Sequence, residues 1–201
     1  MEVRRRIRES MIADNITTIA RKDLTLAKDI ANSLKDREAK ILALLNLYSF
    51  SGDSEFLILA KEFAESDDDL LRIVEVADEK FAKDVAYSIK DNYKKNLAFA
   101  HLLERFGNLN YAMEINDQRI LSASLKRLVA RIPHPRNLIL ARMIPDPYYK
   151  CLALLEISKK ENLDKNEILV ECSKIKNKQL RNWLFRKIQQ KLLPKMRDHK
   201  L

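Results

Sequence analysis

One offset constrains this chain more than any other feature. Adding 55 to the residue numbers of the segment 31–47 lands on residues of the same kind, and adding 110 does so again. Ala31 returns as Ala86 and Ala141, Leu34 as Ile89 and Ile144, Asp36 as Asp91 and Asp146, Lys40 as Lys95 and Lys150. Ala43 returns as Ala98 and Ala153. The apolar positions 44, 45 and 47 return as Phe99, Ala100 and Leu102, and then as Leu154, Leu155 and Ile157. A further copy stands at an offset of 141, through Cys172, Ile175, Asn177, Arg181, Leu184, Phe185 and Ile188. Between these lie degenerate copies, one in which Asp68 and Arg72 keep the Asp-to-basic spacing and a looser one around Asp117. The unit is therefore about half of 55, roughly 28 residues, the size of a helical hairpin that folds by stacking on its neighbours.

Each recurring position has a physical role in such a hairpin. Ala31, Ala86 and Ala141 fall at the end of a first helix, where a small side chain lets two axes approach. Asp36, Asp91 and Asp146 stand just before the next apolar run, and a carboxylate there accepts the orphan N–H groups of a helix start. In the third copy Pro147 follows the Asp, at the first helical position, where its missing N–H costs nothing. Lys40, Lys95, Lys150 and Arg181 follow the cap by four residues and are expected to pair with it. The run Ile41–Leu47 is apolar on nearly every side, as a helix enclosed by neighbours must be.

The expected architecture is all-α: an α-solenoid of about six helical hairpins following an N-terminal helix, in one repeat domain spanning 1–201. The leading helix occupies 1–22. Repeats fill 23–193, with hairpins near 23–50, 53–77, 79–106, 108–131, 134–160 and 164–193. A basic tail covers 194–201, with Pro194 as the last helix stop. Composition agrees. The chain has two glycines, Gly52 and Gly107, where an average chain of its length would carry about fourteen. That excludes glycine-rich nucleotide-binding loops and disfavours sheets, whose tight turns need residues with positive φ.

On these residues the chain resembles the α-helical tandem-repeat proteins of the HEAT and tetratricopeptide kind, over about 23–193. The copy Ala141-Arg-Met-Ile-Pro-Asp-Pro-Tyr-Tyr-Lys-Cys-Leu-Ala-Leu-Leu-Glu-Ile157 looks like a repeat of uncharacterised prokaryotic, especially archaeal, helical proteins. The resemblance implies a binding protein built by stacking and carries no chemistry of its own.

No catalytic, cofactor or metal site is expected. His101, His134 and His199 are scattered, and His101 with Glu104 reads as a helix-surface pair. Cys151 and Cys172 fall at apolar or small positions of the repeat and read as core. Asp67-Asp68-Asp69 invites comparison with the magnesium-binding motif of helical prenyl-diphosphate enzymes. That motif needs another Asp one turn on, whereas Leu70, Leu71 and Arg72 follow, so the run is assigned to a helix N-terminus. Two cysteines are no disulfide framework, and no apolar run approaches a membrane span. A soluble, cytoplasmic protein without membrane insertion is expected.

Charge carries the remaining signal. The net charge is +9. It is concentrated C-terminally: residues 159–201 hold thirteen basic and five acidic side chains, whereas 52–80 hold three and ten. Segment 119–142 contributes Arg119, Lys126, Arg127, Arg131, Arg136 and Arg142 with no acid between them. Segment 174–191 contributes Lys174, Lys178 and Arg181 among others. These nine residues are the candidate polyanion-binding set. The leading expectation is a non-enzymatic adaptor or scaffold that mediates protein–protein interaction, with a partner that its surplus charge would favour as acidic. The alternative is RNA or DNA binding through the two basic segments.

Overall fold

The computed structural model describes residues 2–161 and 163–192, with the backbone alone at 191 and 192. The expected basic tail at 194–201, with Pro194 and His199, lies outside the described residues, as does the side chain of Lys191. The fold is all-α, with no strand among the described residues. A leading helix, α1 (Glu2–Ala20), is followed by α2 (Leu24–Ser33), α3 (Arg37–Ser51), α4 (Glu55–Phe63), α5 (Asp67–Val76), α6 (Glu79–Ser88) and α7 (Asn92–Phe106). A 3-10 helix (Leu109–Glu114) precedes α8 (Gln118–Val129), α9 (Arg136–Met143), α10 (Pro147–Ile157), α11 (Lys165–Ser173) and α12 (Lys178–Leu192). Each hairpin expected from the repeat is present within a few residues, except that the one starting near 108 opens with a 3-10 turn. That segment is six residues long, too short to repay the cost of nucleating an α-helix.

The chain forms two compact units, residues 1–102 and the part from Leu103 onward. In the first, α3 packs against α1, α2, α4 and α5. In the second, α10 packs against α8, α9, α11 and α12. These two helices occupy equivalent positions of the repeat, 110 residues apart, and α3 holds the run expected to be apolar on nearly every side. Ile41, Ala43, Leu44 and Leu47 of α3 are fully buried, as are Cys151, Ala153 and Leu154 of α10. The small residues closing the first helices, Ala31, Ala86 and Ala141, are likewise fully enclosed.

The helix starts follow the repeat. Asp36 accepts the Ala39 N–H at 3.0 Å, Asp91 that of Lys94 at 2.8 Å, and Asp146 those of Tyr148 and Tyr149 at 2.8 and 3.3 Å. Asn177 does the same for Gln179 and Leu180 in the fourth copy. The helix ends add a feature of their own. Gly52 and Gly107, again 55 apart, are the two residues with positive φ among those described, at 73° and 69°, and close α3 and α7 in the left-handed conformation. No atom lies within 4 Å of where a Cβ would stand, so the backbone angle alone calls for glycine there.

The basic residue four after the cap departs from expectation. Lys40 and Lys95 turn away from Asp36 and Asp91, whose carboxylates already hold helix N–H groups, and reach the end of another helix instead. The Lys40 ammonium lies 4.4 Å from the Phe63 ring centroid. That of Lys95 donates to the Tyr87 carbonyl at 3.4 Å, and the Arg181 guanidinium donates to the Ile175 carbonyl at the same distance. Lys95 thus meets the negative end of α6, and Arg181 the turn that follows α11.

Candidate functional site

Side chains from earlier helices lock the turns before three of the second helices, α3, α7 and α10. The Glu9 carboxylate of α1, nearly buried, accepts the Lys35 and Asp36 N–H groups at 2.9 and 2.6 Å. Asp67 of α5 accepts those of Lys90 and Asp91 at 3.2 and 2.7 Å. The Ser122 hydroxyl of α8 accepts that of Asp146 at 3.1 Å and donates to the Gln118 carbonyl at 2.7 Å. Asp67 and Ser122 stand 55 apart, at one position of the repeat. The first copy has Ile12 there, and Glu9, a turn earlier and longer, takes over.

The three aspartates at the start of α5 therefore have separate structural duties. Ser66 is the N-cap and forms a capping box with Asp69, Asp67 holds the turn before α7, and Asp68 pairs with Lys94 at 2.8 Å. The cap thus falls on Ser66 and leaves the aspartates in the first turn, where they complement the helix dipole. The two N–H donors hold Asp67 below the usual carboxylate range. Burial pushes Asp69 up, but the Ser66 hydroxyl, the Glu65 and Ser66 N–H groups and Arg37 outweigh it, so its net displacement is downward.

The other candidate groups are also placed. Cys151 and Cys172 are fully buried; burial pushes the Cys151 thiol up to about 12 and raises that of Cys172. The imidazole of His101 meets Glu75 at 3.3 Å, and Glu104 binds Arg127 instead. No group of three or more His, Cys, Asp or Glu side chains among the described residues could hold a metal ion. Among the described residues no helix is long and apolar enough to cross a membrane.

Of the nine candidate basic residues, several are engaged by acids or carbonyls. Arg127 forms a two-pronged pair with Glu104 at 2.7 and 2.6 Å, and Arg142 one with Glu167 at 2.8 and 3.0 Å. These bonds raise both guanidinium pKa values and lower that of Glu167. Arg131 donates to the Glu104 carbonyl, Lys174 meets Glu171 at 2.6 Å, and Arg181 has its carbonyl partner. Arg119, Arg136 and Lys178 are exposed and make no ion pair among the described residues. Lys126 meets Glu156 at 3.3 Å. It lines a cavity of about 180 Å³ with Leu152, Leu155, Glu156, Lys159 and Lys187, which brings α8, α10 and α12 together. Lys159 and Lys187 belong to no pattern that the repeat marks; their convergence depends on packing between helices far apart in sequence.

The first unit carries a surface of another kind. Val3, Ile7 and Met11 follow one another at four-residue steps along α1 and are 71%, 57% and 61% exposed. Side chains at that spacing form a stripe on one helix face. Arg4 and Arg8 flank it, exposed and without an ion pair among the described residues. Beside it a concavity of about 900 Å³ is lined by Arg6, Ile7 and Met11 of α1, Leu42 of α3 and Arg72 of α5, among others. The repeat pattern does not reach this face, whose signal is three largely exposed apolar residues. No protein-family model matches the chain, and neither a curated protein nor a solved structure is detectably similar to it.

Proposed function

We propose that the protein is a non-enzymatic helical-repeat adaptor, its hairpins stacked as a solenoid, that binds another protein through side chains outside the repeat pattern. The exposed stripe of Val3, Ile7 and Met11 carries this reading. Scattered surface apolar residues need no explanation, but a contiguous row on an otherwise charged helix marks an interaction site. Amphipathic partners are recognised by such four-residue anchors. Arg4 and Arg8 on its flank favour a partner with acidic groups.

A photo-crosslinking residue in place of Ile7, introduced in the native host, tests this directly. The expected result is one discrete protein adduct, lost when Val3→Gln and Met11→Gln are added. An adduct pattern no different from that of a crosslinker at exposed Arg21, a position off the stripe, would rule the adaptor face out.

A further inference from the structure

The cavity shared by α8, α10 and α12 draws lysines from three parts of the second unit. Lys126, Lys159 and Lys187 line it with one acid, Glu156, which Lys126 meets at 3.3 Å, so positive charge is in local excess. A second cavity, of about 220 Å³, shares Glu156 and Lys159 with it and is lined also by His134, Asn137, Lys160 and a second acid, Glu161. The Asn137 Oδ1 is buried without a hydrogen-bond partner, an acceptor that a ligand amino group could meet. At the other end the Lys187 ammonium lies 4.1 Å from the ring centroid of Trp183, the chain's single tryptophan, which is 44% exposed. A large aromatic ring open to solvent beside a row of ammonium groups combines the two elements that hold an unpaired base and its phosphates.

We infer that this groove binds single-stranded nucleic acid, with Lys126, Lys159 and Lys187 on successive phosphates and the Trp183 face against a base. The set differs from the nine basic residues singled out by sequence: Arg127 and Arg142 spend their guanidinium groups on Glu104 and Glu167, Lys126 is common to both, and Lys187 lies within the basic segment 174–191. A duplex offers no free base to the ring, so the single strand is preferred. Glu156 competes with phosphate for Lys126 and limits affinity.

The test uses the full chain and an oligouridine of about 12 nucleotides, within the range that one such groove covers. Trp183 fluorescence is quenched on titration, and a duplex of equal length quenches far less. Three phosphate contacts give a slope of log affinity against log salt near −2. Lys159→Gln with Lys187→Gln flattens that slope, and Trp183→Leu weakens binding about tenfold, followed by anisotropy of labelled oligonucleotide. Glu156→Gln tightens binding, a gain that loss of structure cannot mimic.

Three outcomes overturn the inference. One is no quenching at low salt. Another is inorganic polyphosphate binding as tightly per charge with Trp183→Leu inert, which would reduce the site to an anion patch. The third is a blue shift with anionic lipid vesicles and no response to oligouridine, which would make it a membrane contact.

Discussion

The two compact units solve one packing problem with different polar chemistry. Each encloses a repeat-equivalent helix, α3 or α10, among four others, with an alanine and a leucine fully buried at matching positions. Around the turn that precedes that helix they diverge. The first unit places a carboxylate on two N–H groups, from Glu9 before α3 and from Asp67 before α7. The second places a hydroxyl, Ser122, on one. Apolar positions are thus held to the repeat by close packing, while the polar lock is free to vary so long as some acceptor reaches the exposed amides.

The comparison breaks first at its core. Leu44→Ala and Leu154→Ala each remove a fully buried side chain at equivalent positions, and each is expected to destabilise by about 2–5 kcal/mol. Denaturant titration gives the magnitude, and hydrogen exchange resolved by segment should show the loss confined to residues 1–102 in one case and to those from 103 onward in the other. Equal loss of protection in both would mean that the units unfold as one.

The polar locks should separate next. Glu9→Ala leaves two amides without an acceptor and is expected to cost roughly 2–3 kcal/mol; Ser122→Ala leaves one and should cost about 1. Equal costs would mean that water replaces the carboxylate as easily as the hydroxyl.

Acid sharpens the contrast by the smallest margin. Asp67 and Asp69 in the first unit, and Glu167 in the second, have folded pKa values below their ordinary ones. A depressed carboxylate contributes stability that is complete above its unfolded value, about 4. It is lost as pH falls through the lower folded value. Below about pH 4, then, the first unit should lose more protection than the second, and Asp67→Asn should reduce that difference. An unchanged ratio of protection between pH 6 and pH 3 would contradict the assignment.

How much of this could be read in the sequence follows from which interactions are local. The caps at Asp36, Asp91 and Asp146, the proline that starts α10 and the apolar seams of α3 and α10 depend on residues within a turn or two, and the offset of 55 exposed them. The 3-10 turn at Leu109–Glu114 did not stand out, since its weakness lies in its length rather than its composition. Cation partners were least legible. Lys40 follows Asp36 by the four residues that favour a pair and yet rests on Phe63, and Arg127 finds Glu104 twenty-three residues back, because tertiary packing decides which acid comes within reach. For the same reason the basic segments read as free charge, and the α1 stripe is legible only once packing shows that no helix among the described residues covers Val3, Ile7 and Met11.

The locks on the turns before α3, α7 and α10 also bear on how the chain can be cut. A fragment that starts at α2 keeps its hairpin whole but leaves the Lys35 and Asp36 amides with no carboxylate to receive them. One that starts at α9 deprives the Asp146 amide of the Ser122 hydroxyl. Severing the molecule between hairpins therefore removes more than a neighbour's apolar face, and the smallest piece that holds its shape should carry the helix upstream of the hairpin of interest.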